Sequence, residues 1–143
     1  MTKHEAMIQF IEQGIQEIMG GNPFFNFAKE SPGAVSFLTN YSGKIVKRYV
    51  RAADKEYGFT ILLTWHYSPD SDNTNVEAMN AAQNLMDWID GQKRLGNVPD
   101  FGKCQIKKVE TLQNMPNLAN VDLEENLAQY MIQCRVLYFE KER

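Results

Sequence analysis

Residues 57–96 constrain the fold most, because a strand pattern is followed there by a helix pattern with a defined end. Bulky, mostly apolar side chains occupy every odd position of the first part: Tyr57, Phe59, Ile61, Leu63, Trp65 and Tyr67. The even positions between them hold glycine, threonine or histidine, with Leu62 as the exception. Since successive side chains of a strand point to opposite faces, this alternation predicts a strand with one buried face.

A long amphipathic helix is predicted to follow this strand. Thr74 and Glu77 have the spacing of a capping box, which satisfies two backbone amides at a helix start. The expected buried stripe consists mainly of small residues: Ala78, Ala81, Ala82, Leu85 and Ile89. Gly96 is the residue type that ends helices in a left-handed conformation, and Pro99 prevents continuation. We therefore expect a helix that ends near Leu95 and lies close on a sheet.

The rest of the chain predicts one more helix and four more strands. Thr2 and Glu5 repeat the capping-box spacing at the start of an N-terminal helix, which Gly20 and Gly21 end. Strand patterns cover residues 34–39, 44–52, 104–113 and 127–140, with turns expected at 40–43 and 54–56. Residues 114–126 are polar and acidic, and we expect a long loop there.

Three phenylalanines fall within the short segment 23–29. Large aromatic side chains usually fill a core, so we expect them between the helix and the sheet. An exposed contact patch is the alternative.

These elements predict a single α+β domain over residues 1–143, in the order α-β-β-β-α-β-β. The short links between strands favour a mostly antiparallel sheet, with the two amphipathic helices packed on it. A chain of 143 residues buries roughly 68% of its unfolded surface, so a single core is sufficient without disulfides or metals.

Reactive groups are few in this sequence. Cys104 and Cys134 fall on separate strand patterns, and we expect both to be reduced and buried. His66 lies on the sparse face of a strand, which is typical of a surface or interface histidine. Zinc-ligand spacings, a nucleophile elbow and a phosphate-binding glycine loop are all missing from the sequence. We therefore expect no catalytic residue, no metal and no cofactor.

Charge gives one candidate surface and excludes others. The net charge of −3 argues against a protein that binds chiefly by neutralising phosphates. The start of the chain lacks a secretory signal pattern and an apolar span, so we expect synthesis in the cytoplasm and no membrane insertion. Lys44, Lys47, Arg48 and Arg51 lie on one predicted strand, where a solvated face is expected and single-stranded nucleic acid is the alternative.

The order and spacing of these elements resemble the tail-terminator (tail-completion) and minor capsid proteins of long-tailed bacteriophages and of prophages in Gram-positive bacteria. The resembling parts are the opening helix, the predicted three-strand meander that ends with residues 59–68, and the helix at 80–95 with the sequence Leu-Met-Asp-Trp-Ile at 85–89. The Gly-x-x-Pro turn at 96–99 and the closing strand at 130–139 complete the match, which covers most of the chain.

Proteins of that family are α+β subunits that form a ring, typically of six, at the head-proximal end of the tail. The ring stops growth of the tail tube and offers a surface to the head connector. The resemblance therefore implies a structural virion protein whose partners are its own copies, the tail-tube protein and the head-tail connector, with no membrane partner and no nucleic acid expected. By analogy, the candidate assembly residues are Lys44, Lys47, Arg48, Arg51, His66, Asp122, Glu124 and Glu125.

A second class of function stays open at the level of sequence. The curved sheet and the second helix could enclose a pocket near Trp65, Tyr67 and Trp88. The chain would then be a small-molecule-binding or catalytic α+β domain.

Overall fold

The computed structural model describes residues 2–19, 24–25, 34–66, 72–113, 117–124 and 126–141. The elements in chain order are α1 (Lys3–Met19), β1 (Phe24–Phe25), β2 (Val35–Tyr49), β3 (Ala52–His66), α2 (Asp72–Gln92), β4 (Gln105–Thr111), β5 (Asn117–Asp122) and β6 (Leu127–Lys141). Two helices and one sheet confirm the predicted α+β class.

The sheet is built around the long central pair β3 and β6. Its strand order is β1-β2-β3-β6-β4, and β5 pairs with another part of β6. Strands β3 and β6 pair over fifteen positions, from Ala52 opposite Lys141 to His66 opposite Leu127. All pairings are antiparallel except the short parallel contact of β1 with β2. The mostly antiparallel sheet is therefore confirmed.

The core lies between one face of this sheet and the two helices. The odd residues Tyr57, Phe59, Ile61 and Leu63 are fully buried, as the alternation predicts. The neighbouring strand β6 contributes buried residues to the same face of the sheet: Ala128, Tyr130, Ile132, Cys134, Val136 and Tyr138. The helices add their apolar stripes, which include Met7, Phe10, Ile11, Ile15, Ala78, Ala82, Leu85 and Ile89.

The predicted helix ends are largely confirmed. The Thr2 hydroxyl accepts a hydrogen bond from the Glu5 amide at 3.1 Å, as in a capping box. The predicted capping box at Thr74 is wrong, because α2 begins at Asp72 and Thr74 lies within the helix. Its end is a Schellman motif, because Gly96 has φ +80° and the Asn97 amide donates to the Gln92 carbonyl at 3.0 Å.

The predicted three-strand meander is wrong in detail, because its first two strands are one strand. Strand β2 runs through the expected turn at 40–43, and β3 runs through the expected connection at 54–56. The chain reverses instead at Val50 and Arg51, between the paired residues Tyr49 and Ala52. A single long hairpin therefore replaces the meander.

Irregular pairing explains why β2 continues through a turn-like sequence. The register shifts at Asn40, at Gly43 and at Val46, so that one extra residue is inserted each time. Gly43 has φ +80°, a conformation that glycine adopts without strain and that bulges use. The Asn40 side chain donates to the Thr60 hydroxyl at 2.8 Å. The turn-forming residues therefore make bulges within a strand.

The predicted charged connection at 54–56 lies inside the sheet because its residues have distant partners. On the face opposite the helices, Arg135 binds Glu56 at 3.2 Å and Glu110 at 2.6 Å. Burying Glu56 is tolerated because the guanidinium neutralises it. A local reading of the sequence cannot identify a partner that lies 79 residues away.

The predicted loop at 114–126 is also only partly correct. Within it, β5 pairs with β6 from Asn117 opposite Met131 to Asp122 opposite Leu127. Residues 114–116 and 125 lie outside the described residues. In the phenylalanine segment 23–29, the backbone of β1 pairs with Ser36 and Phe37. The rest of that segment lies outside the described residues, so its role stays a prediction.

Candidate assembly surface

Four of the candidate residues lie together on a surface that we call the basic edge, defined as residues 44–51. All eight residues are exposed, and Val50 is 92% exposed. Four of them are cationic: Lys44, Lys47, Arg48 and Arg51. The other four are Ile45, Val46, Tyr49 and Val50, so the surface combines positive charge with exposed apolar groups.

The position of β2 in the sheet accounts for this exposure. In the described part of the chain, β1 covers the outer side of β2 only at Ser36 and Phe37. Further along, the Lys44 ammonium lies 5.3 Å from the Tyr41 ring centre, and the Lys47 ammonium lies 5.2 Å from the Tyr49 ring centre. Lysines and bulges of this kind block pairing of one strand edge with another. Contacts made here must therefore be made by side chains.

The buried carboxylate of Asp54 holds Tyr49 of the basic edge in place. Asp54 is 5% exposed, and its Oδ2 accepts hydrogen bonds from the Tyr49 hydroxyl at 2.8 Å and from the Lys107 ammonium at 2.9 Å. The hydrogen bond from Lys107 lowers the pKa of Asp54, and the hydroxyl of Tyr49 adds to this effect. These contacts hold the Tyr49 ring in a fixed position at the surface.

The remaining candidate residues lie at the opposite end of the sheet. His66 ends β3 and Asp122 ends β5, and both are in register with Leu127. Strand β3 separates this end from the hairpin turn by about 46 Å at 3.3 Å per residue. Glu124 is exposed in the turn after β5, and Glu125 lies outside the described residues. The structure therefore does not bring the eight candidates into one surface.

The sequence reasoning missed an acidic surface on the helices. Helices α1 and α2 carry seven carboxylates and a single lysine, Lys3. The helix carboxylates whose side chains are described make no ion pair with a described cation, and all are exposed except Glu12, which is half-buried: Glu5, Glu12, Glu17, Glu77, Asp87 and Asp90. A charge count for each predicted helix would have revealed this surface.

The single helix lysine belongs to a separate polar cluster around Glu140. The carboxylate of Glu140 is bound by Lys55 at 3.0 Å and by Lys3 at 3.3 Å, and it accepts a hydrogen bond from the Cys104 thiol at 3.1 Å. The hydrogen bonds from Cys104 and then Lys55 lower the pKa of Glu140 to about 2. The carboxylate is therefore ionised at all physiological pH values.

Both thiols are kept protonated, Cys104 by burial and its contact with Glu140 and Cys134 chiefly by burial. Burial, followed by the hydrogen bond to Glu140, raises the pKa of Cys104. Burial raises the pKa of Cys134 well above its usual value. Cys134 is opposite Thr111 at one end of the β4–β6 pairing, and Cys104 lies at the other end. Both cysteines are free, but only Cys134 is buried as predicted, since Cys104 is partly exposed. This arrangement does not support a thiolate nucleophile.

The substitution Glu140→Gln is expected to destabilise the protein at neutral pH but not in acid. A carboxylate whose pKa falls from 4.5 to about 2 on folding stabilises the native state above pH 4.5. That contribution is lost as the pH falls from 4.5 towards 2. About a third of the side chain is exposed, so solvent screening reduces the expected loss at pH 7 to about 1 kcal/mol.

Urea unfolding of Glu140→Gln and the unaltered protein, at pH 7 and at pH 2.5, measures this effect. The two midpoints are expected to differ at pH 7 and to converge at pH 2.5. An equal difference at both values would show that the charge of Glu140 is not the cause.

The pocket predicted near the tryptophans remains a prediction. Tyr67 lies outside the described residues, and the Trp88 indole donates to Glu17 at 2.8 Å and packs on Phe10. A cavity of about 460 Å³ lies elsewhere, beside Phe101 and Cys104. In the part of the chain that the structure covers, no three His, Cys, Asp or Glu residues are placed to hold a metal ion.

Comparison with known proteins adds no family assignment. No protein-family model matches the sequence, and no curated protein matches it significantly. Of the helices within the described ranges, none is both long and apolar enough to cross a membrane.

Proposed function

We propose that this chain is a structural protein of a long-tailed bacteriophage or prophage. Its copies form a ring at the head-proximal end of the tail, end the growth of the tail tube and join the tail to the head. The opening helix, the second helix and the closing strand resemble those of the tail-terminator proteins in their order and support the proposal at the level of sequence, whereas a hairpin replaces the predicted meander. This function requires surfaces for contact with other proteins and requires no chemical reaction.

The observation that carries the proposal is the basic edge. Eight consecutive exposed residues combine four cations with Ile45, Val46, Tyr49 and Val50. Arginine and tyrosine are enriched in protein interfaces, and an exposed apolar patch is typical of a binding surface. The Tyr49 ring is also held in place through Asp54, so it loses little conformational freedom on binding.

Deletion of the gene from the phage or prophage that encodes the chain tests the proposed function directly. Electron microscopy is expected to show tail tubes of uncontrolled length that lack heads. Purified protein is also expected to bind the ends of tubes made from the tail-tube protein of the same genome. Headed particles with tails of normal length, together with no binding to tubes, would refute the proposal.

A thermal-shift screen with small molecules addresses the alternative function. A ligand that binds only the folded chain raises its melting midpoint by mass action. A reproducible shift that is lost on substitution of Trp65 would favour the pocket hypothesis over the assembly subunit.

A further inference from the structure

We infer that the basic edge of one copy docks on the outer face of α2 in a second copy. The occupant of the basic edge is therefore another molecule of this chain, and the contact is head-to-tail. This inference rests on the proposed function, since it names the two surfaces through which the ring closes. An interface between two different surfaces of the same chain generates a ring when the rotation closes.

Opposite charges on the two surfaces are the first argument. The basic edge holds four cations and no carboxylate. Helix α2 holds four carboxylates and no lysine or arginine between Asp72 and Gln92. Like charges gathered on the helices repel one another, and cations from a partner relieve this repulsion. Complementary surfaces of this kind determine which faces meet and accelerate association.

The dimensions and apolar groups of the two surfaces also match. The strand part of the basic edge, residues 44–49 of β2, spans about 17 Å at 3.4 Å per residue. Helix α2 covers a similar length, about 17 Å from Val76 to Asp87, at 1.5 Å per residue. Within this length, α2 exposes the apolar side chain of Val76 and the carboxylates of Glu77 and Asp87, and the exposed cations Lys93 and Arg94 lie beyond it. The edge presents Ile45, Val46 and Val50 among its cations, so both surfaces have apolar groups to bury.

Charge reversal on each surface provides the test. The edge-reversed chain carries Arg48→Glu and Arg51→Asp. Position 48 is opposite Ala53, so the new carboxylate does not meet another across the strands. Aspartate tolerates the left-handed conformation that Arg51 adopts at φ +59°. The helix-reversed chain carries Glu77→Lys and Asp87→Lys, both at exposed positions of α2.

Sedimentation velocity over a range of protein concentrations measures self-association. The unaltered chain is expected to assemble, and its dissociation constant is expected to increase at least tenfold between 50 and 500 mM NaCl because salt screens the charges. Each reversed chain alone is expected to associate at least tenfold more weakly. An equimolar mixture of the two is expected to assemble again, since each supplies the surface that the other one lacks.

A matched control separates docking from net charge. The pair Lys103→Glu and Lys108→Glu changes the net charge by the same amount as the edge reversal, at exposed positions away from both surfaces. This variant is expected to assemble like the unaltered chain. Circular dichroism and thermal melting establish that every variant is folded before its association is compared.

Several outcomes would overturn the docking. The first is unchanged assembly of the edge-reversed chain, and the second is failure of the mixture to assemble. The third is that adding Glu124→Lys to the edge-reversed chain restores assembly, in place of mixing with the helix-reversed chain. The last result would assign the acidic turn after β5 as the partner surface. An unaltered chain that stays monomeric but binds a single-stranded oligonucleotide through the edge would also overturn it.

The gene deletion tests the proposed tail function independently of the inferred docking between copies. Uncontrolled tails after deletion, combined with any of these outcomes, would refute the docking and leave the tail function in place. Normal headed tails would refute the tail function itself.

Discussion

Replacing Phe59 with alanine is expected to lower the free energy of unfolding by about 3–5 kcal/mol. Phe59 is fully buried in the middle of β3, and its ring stacks on that of Phe37 with 5.2 Å between centres. Truncation removes this contact and leaves a cavity that the surrounding strands and helices cannot fill. Urea denaturation at pH 7 measures the loss.

Leu62→Ala is the matched control for this prediction. Leu62 lies three residues further along β3 but on the face opposite the helices, where it is half-buried. Its truncation is expected to cost about 1 kcal/mol, since most of the lost contact is replaced by water. Equal losses for the two variants would contradict the assignment of the odd residues to the core.

Periodic patterns within one element were predictable from the sequence. The alternation around Phe59 gave the buried face of β3, because a strand has a period of two. The capping box at Thr2 and the glycine at position 96 gave the helix ends, because each has a local backbone requirement. Such features depend on neighbouring residues, which the sequence places next to one another.

The β2–β3 hairpin was not predictable, because the residues with turn chemistry do not lie where the chain reverses. Asn40 and Gly43 have turn chemistry but form bulges, and the reversal uses Val50 and Arg51. Arginine is uncommon in the left-handed conformation that Arg51 adopts, so the sequence carries no turn signal there. Tertiary pairing of β3 with β6 along its whole length overrides the local preference.

The candidate surface was predictable only in part, for a similar reason. Four cations on one predicted strand indicated the basic edge directly. The grouping of His66 with Asp122 and Glu124 at the far end depends on the register of β5 and β6, which no local pattern specifies. The acidic outer face of α2 was visible in the sequence, at Glu77 and Asp87. Its use as a contact surface was not predictable, because carboxylates on a helix face are most often only solvated.

Removing the contact between α1 and α2 is the second change that we expect to lower the free energy of unfolding strongly. The Trp88 indole of α2 lies directly over Gly14 of α1, where an added Cβ would be 2.6 Å from the nearest ring atom. The ring is held by Phe10, with 5.0 Å between centres, and by its hydrogen bond to Glu17. Trp88→Ala is expected to cost about 3 kcal/mol, because it removes this packing between α1 and α2.

Gly14→Ala is expected to change sign with the residue at position 88. Alanine in a helix interior is favoured over glycine by about 0.5–1 kcal/mol. With Trp88 present, overpacking against the held indole costs more than this, so the variant is expected to be destabilised by about 1–2 kcal/mol. In the Trp88→Ala background the space is open, and the same substitution is expected to stabilise the chain by about 0.5–1 kcal/mol.

A double-mutant cycle by urea denaturation measures this coupling between positions 14 and 88. The same sign in both backgrounds would mean that the indole does not lie on Gly14. The sign change would show that glycine is needed at this position for the close approach of the two helices. That approach positions α2 on the sheet, and with it the carboxylates on which the inferred contact between copies depends.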